Sequence, residues 1–376
     1  MALQFILGPS GAGKSEYIYE DIIRRTMQDE RENVIVLVPE QYSLEIQRKL
    51  VQKHPRGGSF QIDVIGFNRL AYRIFDELHI KPKKVLEDFG KSMLLRKAAQ
   101  EHKEELSLYA GSLDKAGFID EAKSLMSEIY QYDIPRERLR EALQKLDDSE
   151  EARVLARKLQ DMLVIFDAFE EKKGQSFIVA EQMLELLTAA AEQSELIAGS
   201  EIVLDGFTGF TPIQLNLISV LLRRAKKVTI VLTIDAATYE KKHVAEHELF
   251  ALTKQTIEHL LLTAEQAHVV VEPALFLGKD GCKRWSKGHP LAHLEQNLFR
   301  YPYRVGKDEE QAITITAYDT PAQELTGVAE QIRTLVMEQG YRYRDIAIVS
   351  GNLEETAEFA KRILPQYEIP YFIDMT

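Results

Sequence analysis

The stretch FILGPSGAGKS, residues 5–15, constrains this chain more than any other. Within it, Gly8-Pro9-Ser10-Gly11-Ala12-Gly13-Lys14-Ser15 fits the pattern G-x-x-x-x-G-K-[ST]. The glycines let backbone N–H groups turn inward on phosphate oxygens, and the helix that follows aims its positive end at them. Such a cradle works between a buried strand and a helix, so the motif demands an α/β architecture. The flanks comply, with an apolar strand at Gln4–Leu7 and helical periodicity from Lys14 to about Gln28. In this pattern Lys14 reaches the β and γ phosphates of ATP and the Ser15 hydroxyl is the ligand for Mg²⁺.

Strand and helix go on alternating after the loop. NVIVLVP predicts a fully buried strand at Val34–Val38, EQYSLEIQRKLVQK a helix, QIDVIGF a third strand, and NRLAYRIFDEL the helix it enters. Continuous apolar strands in βαβαβ order predict a parallel sheet covered on both faces. From Pro82 to Ala198 strand signals vanish and long amphipathic segments such as EEARVLARKLQDMLVIFDAFEEKK take over, which predicts an all-helical insertion. EIVLDGF then restores a strand at Ile202–Leu204, followed by a helix in TPIQLNLISVLLRRA and strands at Val228–Ile234 and His268–Val271. After a loop-rich zone, AITITAY and DIAIVSG predict two strands around the helix PAQELTGVAEQIRTLVMEQG. The expected layout is a first α/β domain from residues 1–80 and 199–300, a helical insertion over 81–198, and the start of a second α/β unit at 311–376. That last unit has too few strands to close a sheet, so the chain is expected to be a fragment.

At 376 residues the chain exceeds what one core usually serves. A net charge of −12 argues against a surface coated in phosphate-binding lysines, although a local basic channel is compatible with it. Basic clusters occur at KPKK (81–84), RRAKK (223–227) and KDGCKRWSKGH (279–289), and each by itself reads more readily as a solvated loop or helix end. The single cysteine, Cys282, builds neither an intramolecular disulfide framework nor a cysteine-held metal site. With no apolar run of membrane-spanning length and no signal-peptide pattern, a reducing cytoplasm is the expected location.

Hydrolysis needs more than a cradle. A second apolar strand should end in an Asp that holds Mg²⁺ through water, with a neighbouring acid to activate the attacking water. EIVLDGF offers Asp205, but Gly206 follows it, and no carboxylate comes until Asp235. The expected nucleotide ligands are therefore Gly8 to Ser15 with Asp205, the expected metal ligands Ser15 and Asp205, and no residue is expected to act as catalytic base. Asp205 also reads as the opening of an Asp-Gly turn.

Five segments in order, FILGPSGAGKS, VIVLVPEQYSLEIQRKL, FQIDVIGFNRLAYRIFDELH, EIVLDGFTGFTPIQLNLISVLLRRAKKVTIVLTID and ITAYDTPAQELTGVAEQIRTLVMEQGYRYRDIAIVSGN, make the chain resemble the N-terminal part of the AddB family. Its members, related to RexB proteins, are subunits of bacterial AddAB helicase-nucleases. The resemblance implies two RecA-like domains of superfamily 1 helicase type with helical insertions, an AddA partner, and single-stranded, Chi-containing DNA as ligand during recombinational repair of double-strand breaks. It also implies that a nuclease domain and a cysteine-held [4Fe-4S] cluster belong to a region beyond Thr376. Active superfamily members carry Asp-Glu where this chain has Asp205-Gly206, and a glutamine upstream of the loop where this chain has only MALQFIL, which implies that ATP is bound and hydrolysis weakened. Helicases of this kind place a strand contact where Phe67, Asn68, Arg69 and Tyr72 fall, and Phe207 and Phe210 beside Asp205 offer further stacking surfaces. Core packing of Phe67 is the competing explanation. An independent P-loop ATPase or small-molecule kinase is the rival class, for which RERLR at 136–140 would have to serve as an arginine lid; a scaffold with ATP as a structural staple is another.

Overall fold

The computed structural model describes every residue of the chain except 30, 82, 116, 148, 175, 279–281, 287, 308–310 and 375–376. Pro82 of the first basic cluster and Lys279, Asp280, Gly281 and Lys287 of the third thus lie outside the described residues. Two compact units are formed, Met1–Arg304 and Val305–Thr376.

The first unit begins β1 (Ala2–Gly8), α1 (Lys14–Gln28), β2 (Asn33–Leu37), α2 (Ser43–Lys53), β3 (Ile62–Ile65) and α3 (Phe67–Glu77). Next come β4 (Lys84–Val85), α4 (Asp88–Glu101), α5 (Phe118–Gln131), α6 (Arg136–Gln144), α7 (Glu150–Lys173), β5 (Phe177–Ile178), α8 (Ala180–Ala191) and α9 (Glu195–Ala198). It then returns through β6 (Ser200–Leu204), α10 (Pro212–Arg224), β7 (Lys227–Thr233), α11 (Ala236–Glu240), α12 (Ala251–Gln266), β8 (Val270–Val271), β9 (Leu275–Phe276) and α13 (Pro290–Asn297). Seven strands form one parallel sheet in the order β3-β2-β6-β7-β1-β8, with β9 also beside β1.

Alternation along the strands divides the core into two faces. Phe5, Leu7, Ile35, Leu37, Ile202, Leu204 and Ile230 point to one side, where α3, α8, α10 and α12 cover them. Ile6, Val34, Val36, Val203 and Val231 point to the other, where Ile18, Tyr19, Ile22 and Ile23 of α1 and Leu50 of α2 pack. Each such side chain contributes roughly 1.5–3 kcal/mol by leaving water, so the sheet with its two helical layers holds the strand ends firmly in place. Both sequence motifs sit at the C-terminal ends of adjacent regions of this sheet, which is where open parallel sheets present their ligand crevices.

The helical segment has a separate core in which Leu95, Leu113, Met126, Phe166 and Phe169 meet. It is not wholly helical: β4 and β5 pair in parallel, Lys84 with Phe177 and Val85 with Ile178, so the chain leaves and re-enters side by side. Met183, Leu187 and Ala191 of α8 join the core under the sheet.

In the second unit, α14 (Pro321–Met337) and α15 (Leu353–Ile363) meet through Leu325, Ala329, Ile332, Ala360 and Ile363. The strands expected at AITITAY and DIAIVSG are absent: neither segment belongs to a sheet, and Ile315 and Val349 are 95% and 92% exposed. Alternating apolar residues make a strand only where a neighbouring strand completes the ladder, and the described residues of this unit contain none.

Candidate nucleotide site

The loop between β1 and α1 owes its shape to glycine. Gly11 and Gly13 hold left-handed φ values of 71° and 84°, a region costly for any residue with a Cβ. Gly13 is also the N-cap of α1, its carbonyl accepting from the Tyr17 N–H at 2.9 Å, so the helix starts where the loop ends. Lys14 folds back across the cradle, its ammonium donating to the carbonyls of Gly8 and Pro9 at 2.9 Å each. Burial pulls the Lys14 pKa down to about 8, against the opposing pull of Asp205 and Glu295, while Arg284 adds to the depression.

A second segment covers this loop. The Leu277 N–H, just after β9, donates to Leu7 O at 2.8 Å, and the N–H groups of Lys283 and Arg284 both donate to Gly11 O, at 3.1 and 3.2 Å. A Cβ at Gly11 would collide with the Cys282 sulfur, so Cys282 and the loop are in close contact. Burial raises the pKa of Glu295, on α13, above the ordinary carboxylate value, against the opposing pull of Arg300. Between these parts lies a cleft of about 440 Å³, lined by Lys14, Ser15, Lys49, Asp205, Phe207 and Arg284 among others.

Asp205 follows β6 directly, and its N–H donates to Leu37 O at 3.0 Å, which fixes it beside β2. The side chain is buried at 4% exposure, and both oxygens already accept: Oδ1 from the Gly206 N–H at 2.9 Å and Oδ2 from the Tyr19 hydroxyl at 2.6 Å. Burial, and then the Asp205 carboxylate, push the Tyr19 pKa far above its ordinary value, so the hydroxyl keeps its proton and donates. Magnesium demands near-octahedral oxygen ligands at about 2.0–2.1 Å with several waters retained. Asp205 as arranged here does not fit that ion, because the Tyr19 hydroxyl and the Gly206 N–H already occupy its two oxygens.

Gly206 has φ 83°, and a Cβ there would approach Pro39 Cδ to 3.3 Å. The position therefore lacks an acidic side chain and also has a backbone that resists one. The next carboxylate, Asp235, caps α11 by accepting from the Thr238 N–H at 2.6 Å and pairs with Arg300, so its oxygens serve structure. Among the described residues no group of three or more His, Cys, Asp or Glu side chains is gathered to hold a metal ion.

Of the nucleic-acid candidates, Phe67, Phe207 and Phe210 form one row, with ring centroids 5.4 Å and 5.3 Å apart, half-buried against the sheet core. Asn68 and Arg69 are exposed on the first turn of α3. The Glu40 carboxylate lies over Gly66 and accepts from the Asn68 N–H at 2.9 Å, so this helix start is already capped by an anion. The basic cluster 223–227 is largely neutralised in place, Arg223 by Glu192, Arg224 by Glu195 and Lys227 by Glu272. Arg136 and Arg140 both bond Asp167 of α7 within the helical segment. Sequence reasoning missed Tyr19, whose spacing of four residues after Ser15 could have flagged it, and the covering segment, for which two-residue strands leave almost no signal.

A parallel RecA-like sheet that carries a phosphate-loop motif at the end of its first strand places the chain among helicase-like P-loop α/β proteins. The chain belongs to the AddB family: residues 5–295 match the family described as "ADDB, N-terminal". It is similar along its whole length to proteins named as the B-type subunits of ATP-dependent helicase/deoxyribonucleases, with 38% identity over 378 residues in Lachnoclostridium phytofermentans, 33% over 374 in Alkaliphilus metalliredigens and 32% over 374 in Clostridium novyi. It spans 32% of the length of each of these curated relatives.

Proposed function

We propose that this chain is the nucleotide-holding, helicase-like part of an AddB-type subunit of an ATP-dependent helicase-nuclease. In this reading it docks on an AddA partner, and the assembly processes double-strand breaks for homologous recombination and recognises Chi in single-stranded DNA. The backbone of Gly8 to Ser15 and the Lys14 ammonium would hold the polyphosphate. Bound ATP would supply a multiply charged ligand that fixes the loop, the covering segment and the end of β6 relative to one another. Arg69 with the row Phe67, Phe207 and Phe210 would offer a weak strand contact by stacking and charge. A [4Fe-4S] cluster cannot be built on this chain's one cysteine, and in this reading other parts of the subunit hold it.

The observation that carries the reading is Gly206: the loop is that of a motor, while the position that should polarise water has no side chain. Calorimetry should find ATP binding that Lys14→Ala weakens by at least about tenfold, near 1.4 kcal/mol, together with negligible phosphate release. Turnover of several per second that Lys14→Ala abolishes would overturn the weak-motor reading. The kinase and independent-ATPase readings predict such turnover, and the pairing of Arg136 and Arg140 with Asp167 gives them no lid at the cleft.

A further inference from the structure

We infer that the Tyr19 hydroxyl stands in for the divalent cation of this site, so that the site takes a nucleoside polyphosphate without a tightly held magnesium ion. The inference rests on the phosphate-loop reading and adds the ionic form of the ligand. Tyr19 lies four residues after Ser15 on α1, one helical turn on, so both project from the same face. Its ring is anchored among Ile18, Ile22 and Ile23 in the core between α1 and the sheet, and the residue is 4% exposed. Its hydroxyl donates to Asp205 Oδ2 at 2.6 Å, the strand-end carboxylate that the sequence assigns to metal together with Ser15. With Asp205 Oδ1 taken by the Gly206 N–H, a hydrated ion entering here would have to displace a buried, charge-assisted hydrogen bond. Lys14, Lys49 and Arg284 line the cleft and supply positive charge that the ion would otherwise bring.

The test is ATP affinity by calorimetry with magnesium in excess and with EDTA in excess, on the wild-type chain and on Tyr19→Phe, with circular dichroism to establish folding. Wild-type affinity should differ by less than about threefold between the two buffers, and Tyr19→Phe should gain about tenfold from magnesium. A wild-type gain of about tenfold or more overturns the inference alone and leaves the phosphate loop standing. A folded Tyr19→Phe variant as indifferent to magnesium as wild type also overturns it, because the hydroxyl is then not what excludes the ion. Absence of ATP binding in both buffers overturns the phosphate-loop reading and this inference with it. If Tyr19→Phe does not fold, the wild-type comparison decides.

Discussion

Lys14 illustrates how a single side chain sets the charge of the loop. With its ammonium on the Gly8 and Pro9 carbonyls and its pKa held at about 8 by burial, it stands closer to losing its proton than the 10.5 of a solvated lysine. Polyphosphate needs the charged form, so ATP affinity should fall as pH rises above about 8, and binding near that pH should take up protons. Calorimetry in buffers of differing ionisation enthalpy reads both effects. The sign for folding is opposite: between about 8 and 10.5 the unfolded chain binds more protons than the folded one, so the stability of the ligand-free protein should rise across that window.

At the scale of elements, Asp161 of α7 shows how the helical segment holds an irregular stretch. Its carboxylate is 1% exposed and accepts from the N–H groups of Ser107, Leu108 and Tyr109 at 2.8, 2.7 and 2.8 Å, and from the Ser107 hydroxyl at 3.1 Å. Burial alone would raise its pKa, but the backbone donors win and hold it below the usual carboxylate value. Asp161→Ala would leave the three backbone donors without their carboxylate acceptor and should cost about 1–3 kcal/mol in urea unfolding. Because the folded pKa is depressed, the contribution of Asp161 is complete above the ordinary carboxylate range and is lost as pH falls through the folded value. The same scale explains what the sequence made legible. Runs such as VIVLV and EIVL are buried on both faces, so composition alone marks them as central strands, and the glycine spacing marks the loop. Strand β8 falls within the stretch expected at His268–Val271, whereas β9 depends on the backbone of β1 rather than on its own pattern, and Tyr19 reads as one more apolar position of α1 until its hydroxyl is seen on Asp205. AITITAY carries a strand pattern without a strand, since pairing is a property of two segments.

For the whole molecule, the division into two units gives the nucleotide cleft a definite address. Every residue lining it lies within Met1–Arg304. A chain ending at Arg304 should therefore fold and bind ATP within about twofold of the longer one; loss of binding on truncation would move part of the ligand's contacts into the second unit. The parallel clasp of β4 and β5 has a separate consequence for lineage rather than chemistry. Because Lys84 and Phe177 are neighbours across one ladder, the stretch between them closes on itself. Lengthening a loop whose ends are already together costs only about 0.6 kcal/mol per doubling. The helical segment is thus a cassette that descent can enlarge, shrink or exchange while the nucleotide cleft stays intact.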